Sequence, residues 1–134
     1  GFRKLTLVPL DATHRALVSY TDCQKLRALG TPAGMAAADF IGHRIEVHDE
    51  IQKMAVAGTT PVHDAVCVAS LIDPSIITTR RLHVAVETAG ALTVGRTVID
   101  THFRGGQKPQ CDVAFDADAQ RFMALLLKTF AGPA

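Results

Sequence analysis

The stretch Thr60-Pro-Val-His-Asp-Ala-Val-Cys-Val-Ala-Ser-Leu-Ile-Asp-Pro74 is the most informative part of the chain, because it predicts a helix with both ends marked. Thr60 suits the N-cap, and Pro61 suits the first helical position, where its missing N–H would have no intrahelical partner anyway. A residue before proline is disfavoured in the α region, so the helix should stop at Asp73. Apolar residues on nearly every side predict a buried helix, in which Cys67 is a small hydrophobic residue.

Two ionisable residues, His63 and Asp64, lie in the first turn of this predicted helix. The helix dipole favours an anion at that end. Burying two polar side chains costs free energy, which is a reason to expect that they have a function. The pair is therefore a candidate functional site. The alternative is structural: an aspartate in a first turn is commonly a cap or dipole partner, and a neighbouring histidine is commonly a hydrogen-bonded polar residue. These residues alone leave both interpretations open.

Composition excludes several classes of protein. The 134 residues, 48% of them hydrophobic, suffice for one domain or a part of one. The net charge is +1 and no basic run exceeds Arg80-Arg81, which argues against a nucleic-acid partner. The three cysteines are widely spaced, as in a reduced cytoplasmic protein. No apolar run has the length of a bilayer, so no membrane association is expected.

The residues before the central helix predict one strand and two helices. Leu5–Leu10 is apolar on both alternate faces, as in a strand covered on both sides, with Pro9 at its end. The following Asp11-Ala-Thr-His14 is either a polar turn or a site at the carboxyl end of that strand. Ser19 or Thr21 caps a short helix that Gly30 ends, and Thr31-Pro32 begins a longer one that runs to about Val56.

The polar side of that longer helix carries five ionisable residues. His43 and Glu46 are one turn apart and can be drawn as metal ligands, but a solvated face of mixed charge is the commoner explanation. We assign no catalytic residue to this helix. The five residues are His43, Glu46, His48, Asp49 and Glu50.

The residues after the central helix predict strands and a final helix. Leu82–Thr88 and Leu92–Asp100 form a hairpin across Ala89-Gly90, a polar loop follows, and Cys111–Phe115 is a short strand. Asp116 or Asp118 caps an amphipathic helix at the carboxyl end. The expected fold class is α/β: the C-terminal part of an open mixed sheet flanked by helices, with a β-hairpin and a C-terminal helix.

Four motifs together resemble the carboxyl-terminal portion of the inosine-uridine preferring nucleoside hydrolase family. They are the LDxTH turn in Val8–His14, the Val-His-Asp helix start at His63, the Leu-Ile-Asp-Pro segment ending at Pro74, and the GxLTxGxTVxD hairpin of Gly90–Asp100. Each motif alone is weak, but their order and spacing are specific. The resemblance covers nearly the whole chain.

The resemblance implies an activity and two site residues. Members of the family cleave the N-glycosidic bond of purine or pyrimidine ribonucleosides to ribose and free base, with a bound Ca²⁺. By resemblance, Asp64 is a metal ligand and His63 is the acid that protonates the leaving base. The resemblance also implies a role in nucleoside salvage and a homo-oligomer. General chemistry agrees, because Ca²⁺ takes oxygen ligands and an imidazole can donate a proton near neutral pH.

The sequence departs from the family at its amino-terminal side. The DTDPGxDD signature, which supplies further calcium carboxylates, is absent, and one carboxylate cannot form a calcium site that needs six to eight oxygens. Residues 1–134 are therefore expected to be the C-terminal segment, without the N-terminal metal-binding half and inactive in isolation.

From Ile41 to Thr60 there is also no Tyr, Trp or Phe to stack on a base, so a pyrimidine-preferring or broad enzyme fits equally well. The alternative is a non-catalytic α/β module for binding or subunit association.

Overall fold

The fold is given by a computed structural model that describes residues 3–132. These residues form five α-helices, a single-turn 3₁₀ helix and seven strands. The helices are α1 (Leu10–Thr13), α2 (Tyr20–Ala28), α3 (Pro32–Glu50), α4 (His63–Ile72), the 3₁₀ helix (Pro74–Ile76) and α5 (Ala119–Phe130). The strands are β1 (Thr6–Leu7), β2 (Leu17–Ser19), β3 (Thr59–Pro61), β4 (Ile77–Leu82), β5 (Val84–Val86), β6 (Thr97–Ile99) and β7 (Cys111–Ala117).

Helix α4 begins later than the sequence predicted. Thr60 and Pro61 do not cap it but end β3, which pairs antiparallel with β2 so that Leu17 lies opposite Pro61. The N-cap is Val62, which makes no side-chain cap bond. The strand takes precedence because proline is tolerated at the end of a strand as well as at the start of a helix. The predicted end is confirmed, since Asp73 terminates α4 before Pro74.

The prediction that α4 is buried on every side is wrong for the described residues. Val66 and Ala69 belong to the core, whereas the opposite side carries a bare apolar stripe. Leu71 is 81% exposed, and Cys67, predicted to be a buried hydrophobic residue, is exposed as well. Apolar residues on this scale are normally covered by another part of a fold. We define the α4 stripe as Val68, Leu71 and Ile72.

The largest sheet has three strands in the order β1-β7-β4. β7 runs parallel to β1, with Thr6 opposite Asp112, and antiparallel to β4. The predicted strand Leu5–Leu10 is therefore shorter than expected, because Pro9 begins helix α1 and not only ends the strand. Within residues 3–132, β1 pairs along one edge only. Strand β4 was missed, since most of its side chains are exposed and its sequence includes Arg80-Arg81.

Helices α2 and α3 pack against each other with the predicted starts. Ser19 forms a capping box with Asp22 at the start of α2, and Thr31 caps α3 through the N–H of Gly34. The two helices approach closely at Gly34, where a Cβ would lie 2.5 Å from the carbonyl oxygen of Leu26. α3 ends at Glu50 rather than near Val56.

The apolar face of α3 differs from the one that its sequence predicts. The predicted stripe comprises Met35, Phe40, Ile41, Ile45, Ile51 and Met54. Ile41 and Ile45 are buried as expected, but His48, which the sequence placed on the polar side, is buried one turn further along. Phe40 lies on the outer face and is 77% exposed. The spacing 34, 38, 41, 45 and 48 follows the helical period, so the predicted stripe was rotated from the true one.

The remaining elements agree with the sequence. β5 and β6 form the predicted hairpin, although its connection runs from Glu87 to Arg96 and is longer than a two-residue turn. β7 includes the predicted strand and continues to Ala117. Asp118 caps α5, whose inner face buries Phe122 in the main core. A mixed α/β architecture with open sheets, flanking helices and a C-terminal helix confirms the fold class. Among residues 3–132, no helix is long and apolar enough to cross a membrane.

Candidate active site at the start of α4

His63 is the first residue of α4 and lies where β3 passes directly into that helix. Its ring is half-buried, and its Nδ1 atom lies 2.6 Å from the hydroxyl oxygen of Thr13 in α1. Thr13 is fully buried and its hydroxyl is also 3.2 Å from the carbonyl oxygen of Leu10. One edge of the His63 ring is therefore attached to the protein interior.

The face of the His63 ring is covered by a second histidine. His14, which follows α1 directly, stacks on it with ring centroids 5.3 Å apart and an angle of 26° between the planes. Both contacts to His63 thus come from the short segment that contains the LDxTH motif. The sequence left Asp11–His14 open between a polar turn and a site. The segment is a helical turn, and its residues Thr13 and His14 contact His63.

The surroundings lower the pKa of His63 below its usual range. Burial is the largest cause, and the neighbouring imidazole of His14 acts in the same direction. Asp64 opposes the shift, because a neighbouring carboxylate favours the charged imidazole. Arg44 and His48, both on α3, lower the pKa further.

Asp64 follows His63 on the exposed side of α4. Both residues line a shallow cleft of about 320 Å³ between α3 and α4. On the other side of this cleft are Phe40 and Arg44, whose side chains are exposed one helical turn apart. The cleft therefore presents an aromatic ring, a cation, an imidazole and a carboxylate to solvent.

His48 lies in the interior near these groups. It is 3% exposed, and neither ring nitrogen has a hydrogen-bond partner among residues 3–132. Burial lowers its pKa, with Arg44 and His14 acting in the same direction and Asp49 opposing them. A buried imidazole in this environment is favoured in the neutral form.

Comparison with known proteins connects this geometry to a family. A family profile described as inosine-uridine preferring nucleoside hydrolase matches residues 2–124. The chain belongs to the inosine-uridine preferring nucleoside hydrolase family.

Curated relatives in this family carry a more specific name. The pyrimidine-specific ribonucleoside hydrolase RihA of Salmonella gallinarum is 37% identical over 122 residues, which cover 91% of this chain and 39% of the relative. The protein of the same name from Escherichia coli O9:H4 is 36% identical over the same shares. The chain thus spans about 39% of the length of these relatives.

Solved structures of nucleoside hydrolases share the fold. The purine-preferring ribonucleoside hydrolase from Gardnerella vaginalis superposes with a TM-score of 0.78 at 28% identity, over 96% of this chain and 40% of that one. The plant nucleoside hydrolase PpNRh1 gives a TM-score of 0.79 at 21% identity, over 97% of this chain and 42% of that one, which is a likeness of fold. Both independently support the α/β assignment.

The described residues of this nucleoside hydrolase chain do not form a metal site by themselves. Residues 3–132 include no group of three or more His, Cys, Asp or Glu side chains that could hold an ion. Asp64 offers a single exposed carboxylate, far fewer oxygens than Ca²⁺ requires. The pair His43 and Glu46, the other metal candidate, is an exposed contact at 3.5 Å, in agreement with a solvated face.

Two residues at the candidate site of this family member were not predicted from the sequence, and two others were only one of two possibilities. Thr13 and His14 belong to the segment that the sequence left open as a polar turn or a site, but nothing in their spacing indicated contact with a histidine 50 residues away. Phe40 and Arg44 carry no local signal for the cleft, although both line it. The packing of α3 against β3, which leads into α4, brings these two to the cleft.

Proposed function

We propose that this chain is the carboxyl-terminal part of a ribonucleoside hydrolase, which cleaves the N-glycosidic bond to give ribose and a free base. The observation that carries this proposal is the His63–Asp64 pair at the start of α4, positioned by α1 in a chain that belongs to the nucleoside hydrolase family. The names of the curated relatives, ribonucleoside hydrolases, support the same substrate class.

In the proposed reaction, His63 is the general acid. The bond between C1′ and the base nitrogen breaks, and its electron pair departs with the base. His63 gives the base a proton, and a water oxygen forms the new bond to C1′, so that the proton lost by the water replaces the one donated. General acid catalysis of this kind contributes about a hundredfold to ten-thousandfold. A positively charged transition state at the sugar is expected, as for other glycosides.

We propose that Asp64 is one ligand of a Ca²⁺ ion whose other ligands lie outside this chain. Its carboxylate is exposed on the open side of α4, where it accepts no capping bond from its own helix. The described residues alone do not fit the ion, so its remaining ligands must come from elsewhere in the protein. A bound Ca²⁺ supplies a Lewis acid for water and sugar hydroxyls.

We propose that the remainder of the enzyme, an amino-terminal half of the same polypeptide, covers the α4 stripe. Asp64, Val68 and Leu71 follow each other at the helical spacing of four and three residues, so they lie on one side of α4. A body that covers the stripe therefore also reaches Asp64. The unpaired edge of β1 and the 39% share of the relatives' length support this occupant.

Base preference is a separate part of the proposal. The relatives named pyrimidine-specific support uridine as the first substrate to test, while the similar solved structure named purine-preferring supports inosine as the comparison. Phe40 and Arg44 lie across the cleft from His63 and give a base one aromatic face and one cation. A rate ratio near one between the two substrates would favour a broad enzyme.

We also propose a homo-oligomer in the cytoplasm. Exposed Leu92, Val94 and Val98 on the β5–β6 hairpin support self-association, and a monomeric mass of the full-length protein in light scattering would contradict it. The three cysteines are free, two of them buried, which supports a reducing compartment. Recovery from an oxidising compartment in cell fractionation would contradict that location.

The test is a ribose-release assay with uridine and inosine on the full-length protein, with Ca²⁺ or with EDTA. We expect ribose from at least one substrate, and we expect EDTA to abolish its release and added Ca²⁺ to restore it. The 134-residue chain alone should release none. If the full-length protein produces no ribose with Ca²⁺ present, the enzyme proposal fails and a non-catalytic α/β module for binding or subunit association replaces it.

A further inference from the structure

The turn Leu10–His14 contacts His63 in two places, at one edge of the ring and on one face. We infer that this turn is a positioning device: Thr13 determines which nitrogen of His63 carries the proton, and His14 holds the plane of the ring. The catalytic consequence rests on the proposed function, while the geometry does not. The turn thereby gains a role as the support of a histidine that is 50 residues away in sequence.

The hydroxyl group of Thr13 has one proton and two neighbours that can accept it. The Leu10 carbonyl oxygen is 3.2 Å away, and Nδ1 of His63 is 2.6 Å away. If Nδ1 carries a proton, both contacts are hydrogen bonds, because Nδ1–H donates to Thr13 and Thr13 donates to Leu10. If Nδ1 carries none, the hydroxyl donates to only one of these two neighbours. The Leu10 carbonyl also accepts the backbone N–H of His14 at 2.9 Å, so it has a partner in either case. The Nδ1–H form is the one in which both contacts of the buried Thr13 hydroxyl are hydrogen bonds, and we assign that form.

This tautomer directs the other nitrogen of His63 to the reaction. With Nδ1–H committed to Thr13, Nε2 is the atom that takes up and gives back a proton. It lies on the side of the ring away from Thr13. A neutral imidazole without hydrogen-bond partners can carry its proton on either nitrogen. A fixed hydrogen bond at Nδ1 therefore selects one of the two forms. The same arrangement is used by histidines that bind metals, where the second nitrogen is held by an outer partner.

His14 restricts the motion that a single hydrogen bond would leave. A ring held only at Nδ1 can still rock about that bond, whereas a second ring stacked on its face at 5.3 Å limits the tilt. The turn is itself fixed, because Pro9 begins α1 and the backbone N–H of His14 donates to the Leu10 carbonyl at 2.9 Å. Two side chains of one short element thus hold one ring.

The first test measures the tautomer in the full-length protein labelled with ¹⁵N-histidine, with His63→Gln used to assign the signals. We expect a protonated Nδ1 and an unprotonated Nε2 in the neutral wild type. Thr13→Val, which keeps the shape of threonine without its hydroxyl, should shift His63 toward the Nε2–H form, and Thr13→Ser should restore the original pattern. An Nε2–H wild type, or no change in Thr13→Val, would overturn the inference.

A matched control is available on α4. The Ser70 hydroxyl, like that of Thr13, is buried and donates to the carbonyl three residues earlier, here Cys67 at 2.7 Å. It makes no hydrogen bond to His63. Ser70→Ala should therefore leave the His63 signals unchanged, which separates the loss of a buried hydroxyl from the loss of this contact.

The second test compares leaving groups. Uridine and inosine need a proton on the departing base, whereas 4-nitrophenyl riboside releases a stable anion. We expect Thr13→Val to lower kcat/KM about tenfold to a hundredfold on the nucleosides, through kcat, and to have little effect on the nitrophenyl substrate. Thr13→Ser should recover activity to within about threefold of wild type, since it keeps the hydrogen bond. Equal losses on both kinds of substrate would overturn the positioning role.

The two tests separate this inference from the proposed function. If the wild type hydrolyses no nucleoside, the proposed function fails, but the ¹⁵N pattern still decides what Thr13 does to His63. If the wild type is active and Thr13→Val changes neither the tautomer nor the ratio of the two substrates, the proposed function stands and the inference is wrong. A Thr13→Val protein that fails to fold is replaced by Thr13→Ala and judged by the same two readouts.

Discussion

Helices α4 and α5 both begin beside an aspartate, and the two carboxylates have different contacts. Asp118 accepts hydrogen bonds from the N–H groups of Gln120 and Arg121, so it stabilises the helix it precedes. Asp64 lies inside the first turn of α4, is exposed, and makes no capping bond. A carboxylate at a helix start is therefore a functional candidate when no N–H group of its own helix donates to it.

The two helices also differ in the coverage of their apolar side chains. α5 turns Phe122 into the main core, where that side chain is fully buried. α4 is apolar on nearly every side but leaves the α4 stripe exposed. α5 therefore buries its large apolar residue Phe122 against the described residues, whereas none of them covers the α4 stripe.

The largest effect is expected at Asp64, the aspartate that we propose to be functional. Asp64→Ala in the full-length protein should lower EDTA-sensitive ribose release about a thousandfold, because removing a ligand of the proposed ion costs several kcal/mol of transition-state stabilisation. Glu46→Ala, which removes an exposed carboxylate of α3, is the control. Near-normal turnover of Asp64→Ala would end the assignment of Asp64 as a ligand.

The next effect concerns the apolar side chains of α5 and α4, of which one is buried and the other exposed in this chain. Phe122→Ala should cost about 3 to 5 kcal/mol in the urea unfolding of the full-length protein, because it leaves a cavity in the core. Leu71→Ala should cost about 2 to 3 kcal/mol if an amino-terminal half covers the α4 stripe. Ile51→Ala serves as the matched control, since Leu71 and Ile51 are 81% and 80% exposed in this chain and no contact is proposed for Ile51. Losses for Leu71 and Ile51 that are equally small would mean that nothing covers the stripe.

The smallest effect tests the structural aspartate. Asp118→Ala should lower the unfolding free energy by about 1 kcal/mol, the usual cost of losing an N-cap, and Asp118→Ser should recover most of it. Ribose release by both variants should stay near the wild-type rate at a temperature where they remain folded. A large loss of activity in a folded Asp118→Ala protein would contradict the division of roles between the two aspartates.

The sequence predicted those parts of the fold that depend on local rules. Thr31 was predicted as a cap, and Ser19 and Asp118 were each one of two candidates, because such side chains accept hydrogen bonds from backbone N–H groups within a few residues. The start of α4 was misplaced because Pro61 suits two local structures equally, and only pairing with β2 distinguishes them. Strand β4 was missed for a similar reason, since an edge strand is defined by its partner β7 more than by its own residues.

The candidate site was predictable in its centre and not in its surroundings. His63 and Asp64 followed from the resemblance, and their roles remain predictions. Thr13 and Phe40 reach the site through contacts between elements far apart in sequence, which no local pattern records. The buried position of His48 was missed because a histidine is expected on a polar face, although the helical period placed it with Ile41 and Ile45.

The parallel pairing of β1 with β7 has a consequence for biosynthesis. Thr6 and its partner Asp112 are 106 residues apart in sequence, so β1 leaves the ribosome long before its partner strand exists. At about 5 to 20 residues per second, β1 waits roughly 5 to 20 s for β7. During that interval the α1 turn and α4 can fold locally, but the three-stranded sheet cannot close. The last strand to be made completes the sheet, and newly made chains are most exposed to aggregation and to chaperones until it appears.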